Sequence, residues 1–310
     1  MRNKFPGGVW PVMLTPFTEN NTIDYPALKE LVDWYIQAGV DGLFAVCQSS
    51  EMFFLSLEER CALASAVVAY ANGRVPVICS GHVSDAMEDQ MIELNLLAKT
   101  GADALILITN RLAKEGESDE TWKQNCNKLL EALPEEIPLG FYECPYPYKR
   151  VLSPELLSWC AQTNRFYFLK DTCCDAALIR AKLRAIEGSK LRLYNANTTT
   201  LLDSLRNGAA GYSGVMANFH PELYVWLCKH YDTTKVEALQ DWLTIASLIE
   251  RQWYPVNAKY HLRALRGLSL TSKCRTKDAA MLTDTFCEEV RMMERQAKCQ
   301  YNALKQEGIL

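Results

Sequence analysis

Short apolar runs alternate with amphipathic helical patterns along most of this chain, and that alternation constrains the fold more than any other feature. The runs are Val9–Leu14, Gly42–Cys47, Pro76–Gly81, Ala104–Thr109, Leu139–Glu143, Phe166–Lys170, Leu191–Tyr194 and Gly211–Val215. Between them lie helical patterns at Tyr25–Ala38, Leu57–Ala71, Ala86–Lys99, Asp119–Leu133, Pro154–Gln162, Ala176–Ile186 and Thr198–Leu205. Runs this short are strand-sized, and their nearly continuous apolar character suits strands buried on both faces. Parallel strands need a crossover of helix length between them, which is what each gap supplies. Eight such units predict an α/β fold, a closed (β/α)8 TIM barrel. An open doubly wound sheet would want a glycine-rich phosphate turn after its first strand, and Thr15-Pro16-Phe17-Thr18 is not one.

Local punctuation agrees with this reading. AGVDGLF at Ala38, TGADALI at Thr100 and NGAAGYS at Asn207 each lead from a helix end into a strand. In each the glycine stands where a left-handed residue ends a helix. Ser56-Leu57-Glu58-Glu59 fits a capping box, and Ser153-Pro154 puts a cap before a proline at the first helical position. From about Pro221 only helical patterns remain, at Leu223–Tyr231, Val236–Gln252, Asn257–Leu265 and Asp278–Leu304. The expected organisation is a catalytic barrel over residues 1–220 and a C-terminal helical extension over 221–310. With few glycines or serines between its helices, the extension is expected to pack on the barrel.

Composition narrows the function classes. The chain has 310 residues, of which 49% are hydrophobic, and a formal net charge of −4 without a basic block. Neither nucleic acid nor an anionic membrane is an expected partner. The N-terminal MRNKFPGGVWPVML has no sustained apolar segment before a cleavage site, so no signal peptide is expected, and no run approaches the length of a membrane span. Twelve cysteines occur without a CxxC pair, several of them in strands or helical patterns, as reduced thiols in a core would be. Cys173 and Cys174, just past Lys170, are the two that stand near chemistry. The four histidines show no HxH or HExxH spacing, so no metal centre is expected. GAAGYSG at Gly208 feeds a strand, not a helix, which rules out a dinucleotide loop.

In a barrel of this kind reactive groups sit at the C-terminal ends of the strands. Lys170 ends the sixth run, in RFYFLKDT. Placed in a mouth walled by Phe166, Phe168 or neighbouring strand ends, its ammonium would be disfavoured by desolvation. A partly neutral lysine attacks carbonyl carbon and forms a Schiff base, against the blander alternative of a lysine snorkelling to the rim. Tyr142 ends the fifth run, in FYECPYPY, beside the sixth strand in a barrel. A phenol there can pass protons to an imine nitrogen; the bland alternative is a wall tyrosine. Gln48-Ser49-Ser50-Glu51 follows the second run, where turn amides and hydroxyls suit a carboxylate, although such turns are often only turns.

The motifs GVWPVMLTPF, CQSSE, FYECP, FLKDT, GAAGYSGVMAN and PVNAKYHLRALRGL, in this order, resemble the N-acetylneuraminate lyase and dihydrodipicolinate synthase family of pyruvate-handling class I aldolases, from about Gly8 to about Leu270. The resemblance implies Lys170 as the Schiff-base lysine, Tyr142 as the proton-relay tyrosine, and Gln48 and Ser49 as the holders of the pyruvate carboxylate. Thr172, beside the lysine, and Ser213, in the glycine-rich segment of strand eight, are the further candidate substrate contacts. It implies a cytosolic homotetramer without cofactor or metal. Gln48 stands where the family carries a hydroxyl residue in the relay. Pro147 stands where the synthases carry an arginine, Thr109 where they carry a relay tyrosine, and Asn195-Ala-Asn-Thr-Thr199 where sialic acid lyases carry acidic residues. The reaction implied is cleavage or formation of a C–C bond with pyruvate as product or substrate, the partner an aldehyde or sugar acid and the substrate a 2-keto-3-deoxy sugar acid. A keto-acid dehydratase, the synthase or sialic acid lyase reactions, and a non-catalytic keto-acid-binding homologue are the alternatives.

Overall fold

The structure, a computed structural model, describes residues 5–234 and 236–306. The first four residues of the segment read for a signal peptide, and the last four of the extension, lie outside it. Eight strands form one parallel sheet: β1 (Gly8–Val9), β2 (Leu43–Phe44), β3 (Val77–Cys79), β4 (Ala104–Ile108), β5 (Leu139–Tyr142), β6 (Phe166–Asp171), β7 (Arg192–Asn195) and β8 (Gly211–Tyr212). Their spatial order is β1-β8-β7-β6-β5-β4-β3-β2. The remaining seam, between β1 and β2, is closed by the residues just past β1. Phe44 N–H donates to Pro11 O at 3.0 Å, and Met13 N–H to Phe44 O at 3.0 Å. The expected TIM barrel is the observed fold.

Helices α1 (Tyr25–Gln37), α2 (Leu57–Ala71), α3 (Met87–Leu97), α4 (Asp119–Ala132), α5 (Pro154–Gln162), α6 (Ala176–Ala185), α7 (Leu201–Arg206) and α8 (Pro221–His230) alternate with the strands. Their ends follow the local chemistry. Ser56 Oγ accepts from Glu59 N at 3.2 Å while Glu59 Oε2 accepts from Ser56 N at 3.0 Å, which completes the capping box. Ser153 caps α5 through Leu156 N. Gly39, Gly101 and Gly208 all take positive φ (85°, 84° and 96°), a region that costs an L side chain energy, and so turn the chain back into the barrel.

The barrel interior is aromatic. Phe168 of β6 lies 4.2 Å from Tyr194 of β7, 5.2 Å from Trp10 and 6.4 Å from Phe44 of β2, measured between ring centres. Phe44 in turn meets Tyr142 edge-on at 5.8 Å. Burial of rings this size dominates the core, and the stack carries the packing from the barrel centre up to Tyr142. Phe166 is not part of it. The register slips between Leu139 and Gly140, so Phe166 pairs with Leu139 and stacks on Phe141, whose other neighbour is Trp122 of α4. Of the two expected rings only Phe168 lies on the barrel's interior face, and neither lines the mouth, which is walled by neighbouring strand ends such as Tyr142.

Beyond α8, which packs on β1 and β8, come α9 (Val236–Ala246), α10 (Val256–Arg266) and α11 (Asp284–Gln306). The helix expected over Val236–Gln252 ends at Ala246 and tightens into a 3₁₀ turn over Ser247–Arg251. Val290, Met293, Ala297 and Leu304 form the buried stripe of α11, and its Glu294 Oε2 lies 2.8 Å from His261 Nε2 of α10. This stripe packs α11 on α10. No helix among the described residues is long and apolar enough to cross a membrane.

Candidate active site

Tyr142 and Lys170 are direct partners across β5 and β6, at the C-terminal ends of both strands. Parallel pairing puts both side chains on the same face, here the interior face that Phe168 shares. The Lys170 ammonium sits 4.2 Å from the centre of the Tyr142 ring, and the two residues are only 4% and 3% exposed. Burial lowers the lysine's pKa, with the neighbouring Cys47, Cys144 and Glu250 opposing the shift. The same burial, reinforced by Cys144 and Cys47, holds the Tyr142 phenol well above its ordinary range. An amine whose proton burial loosens, beside a phenol whose proton burial holds, is the pairing that imine chemistry needs.

Both groups open on a cavity of about 430 Å³ whose walls come from seven places in the chain. After β2 the chain curls into a 3₁₀ turn, Gln48–Ser50. Tyr142 donates its hydroxyl hydrogen to Gln48 Oε1 at 3.3 Å. Ser49 faces the cavity, against the Tyr254 phenol. Ser50 is buried and tied to the barrel wall through Met13 O and Ala45 O. The amide hydrogens of Gln48 and Ser49 have no acceptor among the described residues, so this turn offers donors to an anion.

Thr172 lines the cavity, but its hydroxyl donates to Glu143 O at 2.7 Å and its amide to Glu143 Oε2 at 2.9 Å. It ties the tips of β5 and β6 together. Ser213 does not line the cavity: its hydroxyl donates to Trp10 O at 2.9 Å inside the wall, because the β8 backbone turns Gly214 and Val215 toward the opening instead. Thr109 is spent on Arg150 O at 2.7 Å. Cys174, exposed and at φ 60°, borders the cavity, whereas Cys173 does not.

Lys149, in the loop after β5, escaped the sequence reading, and so did four lining residues further along: Glu250, Tyr254, Thr276 and Lys277. These four come from the extension. Tyr254 accepts from Asn218 Nδ2 at 3.0 Å. The segment carrying Thr276 is pinned across the mouth by Glu51, the residue after the Gln48–Ser50 turn. Glu51 Oε2 accepts from Arg275 N at 2.6 Å and Thr276 N at 2.8 Å, and Glu51 Oε1 is 2.9 Å from the buried Lys259 ammonium. Only the tail motif PVNAKYHLRALRGL, which begins at Pro255, lay close enough to Tyr254 to have drawn attention to it.

A family model described as the dihydrodipicolinate synthetase family matches residues 5–282. The chain belongs to that family. It is therefore an aldolase/lyase-type enzyme on a TIM barrel. Among its relatives, the 4-hydroxy-tetrahydrodipicolinate synthase of Saccharophagus degradans is 30% identical over 231 residues, 74% of this chain and 77% of that one. The Anaplasma marginale (strain Florida) protein of the same name is 28% identical over 229 residues, 74% of each chain. Among solved structures, the prophage protein YagE of E. coli K12, in complex with pyruvate, superposes with a TM-score of 0.84 at 22% identity, covering 94% of this chain and 98% of that one. The chloride-inhibited dihydrodipicolinate synthase of Acinetobacter baumannii, complexed with pyruvate, gives 0.80 at 24% identity, covering 99% and 100%. Those two likenesses speak for the fold.

Proposed function

We propose that this family member is an imine-forming lyase in which Lys170 condenses with the keto carbon of a 2-oxo acid, and that pyruvate is product or substrate of the C–C bond it breaks or makes. The observation that carries this reading is the Tyr142–Lys170 pair, in register, buried and open to one cavity. The neutral amine adds to the carbonyl. Tyr142 supplies the proton with which the carbinolamine oxygen leaves as water. The resulting iminium takes up the electron pair of the cleaved bond as an enamine, in place of an unstabilised carbanion. Protonation of the enamine and hydrolysis of the imine release pyruvate and restore the amine. The unpaired amides of Gln48 and Ser49 would hold the carboxylate, with the Ser49 hydroxyl beside them.

Gln48 accepts a hydrogen bond from Tyr142 but has no hydroxyl through which a proton could continue. The tyrosine then exchanges its proton with substrate or water directly. The substrate class of this reading is a 2-keto-3-deoxy sugar acid. The name carried by the relatives, 4-hydroxy-tetrahydrodipicolinate synthase, favours a second reading, the synthase reaction. Against it stand Pro147 where those enzymes carry an arginine, and Thr109, whose hydroxyl is already bound to Arg150 O. The same reading takes the protein as a cytosolic homo-oligomer, a tetramer by resemblance, working without a cofactor.

Incubation with pyruvate and borohydride tests the proposal. A mass gain confined to Lys170, lost in Lys170→Ala, supports the enzyme; a protein that binds pyruvate and stays unmodified is the non-catalytic homologue, and the reading fails.

A further inference from the structure

A cavity of about 710 Å³, larger than the catalytic one, lies between the C-terminal ends of α1, α8 and α10 and the C-terminal half of α11. Gly39, which lines it, turns the chain from α1 toward the start of β2. The cavity therefore opens at the base of the barrel, at the end opposite the strand tips that carry Tyr142 and Lys170. It shares no lining residue with the catalytic cavity. α10 spans the distance between them: Tyr254 and Pro255, just before its start, line the one, and Arg266 at its end lines the other. At 1.5 Å per residue that is roughly 15 Å of helix. The volume is that of an ordinary small-molecule site.

Its lining is aromatic and cationic. Trp226 stacks on His230 at 4.6 Å between ring centres, and Trp34 of α1 and Tyr301 of α11 stand at the same opening. His230 Nδ1 lies 2.9 Å from Trp226 O, and because a carbonyl only accepts, that nitrogen carries the proton. Three cations, Lys229, Arg266 and Lys298, face one carboxylate, Glu222, which Arg266 Nη2 already binds at 2.7 Å. The same nitrogen reaches Phe219 O at 3.2 Å and Glu294 at 3.4 Å, so Nη1 and the buried Nε have no acceptor among the described residues. Lys229 is exposed and makes no hydrogen bond or ion pair with a described residue. Asp41, which feels its charge, is bound to Val9 N–H at 2.8 Å. Lys298 reaches Glu294 at 3.3 Å with its side chain largely in solvent. Rings beside unspent cations suit a flat ring that bears a negative group: the ring packs on indole, imidazole or phenol, and the anion takes charged N–H donors. A ligand with a positive charge would be repelled here, and an apolar one would leave the donors unanswered.

We infer that this basal cavity is a second small-molecule site, and that it takes an aromatic anion, a flat ring carrying a phosphate or a carboxylate. The inference stands apart from the imine reading above. Isothermal titration calorimetry with adenosine 5′-monophosphate and with indole-3-carboxylate tests it. Adenosine and inorganic phosphate serve as the ring without the charge and the charge without the ring. At least one of the two anions is expected to bind saturably, and which of them does so decides between phosphate and carboxylate. Both controls are expected to bind at least about tenfold more weakly, and Lys229→Ala/Lys298→Ala to weaken the anion by about tenfold to a hundredfold, the range for hydrogen bonds to charged groups. Both lysines are exposed, so the double variant is expected to melt with the wild type and to trap pyruvate at its rate. Failure of both anions to bind overturns the site. So does binding that the double variant leaves unchanged, or that pyruvate displaces, since the ligand then sits elsewhere. Adenosine binding as tightly as its monophosphate overturns the anion requirement. Two further measurements test other occupants. Binding that appears only after truncation behind Gln306 makes the chain's own end the occupant, and a fall in sedimentation coefficient in Lys229→Glu/Lys298→Glu makes it a second copy; either result overturns the inference.

Discussion

Lys182 of α6 and Asp171 of β6 form a fully buried ion pair at 2.5 Å, one residue beyond Lys170 in the chain. The same ammonium lies 2.6 Å from Glu143, one residue beyond Tyr142. A single cation therefore ties together the two strand ends that carry the candidate chemistry. Burial, with Asp171 adding to it, pushes the Glu143 carboxyl up to about 7, against the pull of Lys182.

Lys182→Met should destabilise the fold by about 3–5 kcal/mol, the cost of leaving buried charge without its partner. Equilibrium urea unfolding measures this. If the ammonium also positions Tyr142 and Lys170, the fraction that folds should trap pyruvate more slowly. The double variant Glu143→Gln/Lys182→Met should recover part of the stability, because one buried charge is removed with its partner.

Lys170→Met should melt at a higher temperature than the wild type at pH 7 while losing all trapping. The fold lowers the lysine's pKa, so the folded state binds its proton less readily than the unfolded chain. That penalty is complete at pH values below the folded pKa. It shrinks as pH rises from there and vanishes above the unfolded value of about 10.4. The gain in the variant should therefore be largest near neutrality and fade toward alkaline pH. The contact between ammonium and Tyr142 ring offsets part of it, by roughly 0.5–2 kcal/mol. Paired thermal melts across pH 7–10.5 give the comparison; an advantage that grows with pH would contradict the assignment of a burial-lowered amine.

Tyr142→Phe should lower turnover by roughly 10²- to 10⁴-fold, the usual worth of a positioned acid–base group. Lys170 should still be trapped by borohydride, at a reduced rate. Gln48→Met removes the oxygen that accepts from the phenol and from the Cys144 thiol, and its loss in kcat should be smaller than that of Tyr142→Phe. Steady-state kinetics on both variants checks the order.

Glu51→Gln should loosen the segment that roofs the cavity, since Glu51 gathers Lys259, Arg275 N, Thr276 N and the Thr276 hydroxyl. Breaking a buried pair of this kind costs about 3–5 kcal/mol. Limited proteolysis should cut within residues 271–277 sooner than in the wild type, and KM for the second substrate should rise more than kcat falls.

The sequence by itself determined the barrel, because alternation of strand-length and helix-length segments, capping serines and left-handed glycines are local properties that each residue carries with it. Lys170 and Tyr142 were legible for the same reason: each closes an apolar run, and in a parallel barrel all such ends meet on one face. What only the tertiary structure decided was set by distance along the chain. Phe166 left the expected wall because a one-residue bulge in β6, where its register against β5 shifts, turned it outward, and Ser213 spent its hydroxyl on Trp10 O, 203 positions away. Glu250, Tyr254 and Thr276 reached the cavity only because a helix ended early and Glu51 pinned a segment 225 residues further on. Periodicity reports which face of an element is buried; it holds no information about which distant element will cover a barrel's open end, because that choice is made by packing and buried charge after the barrel has closed.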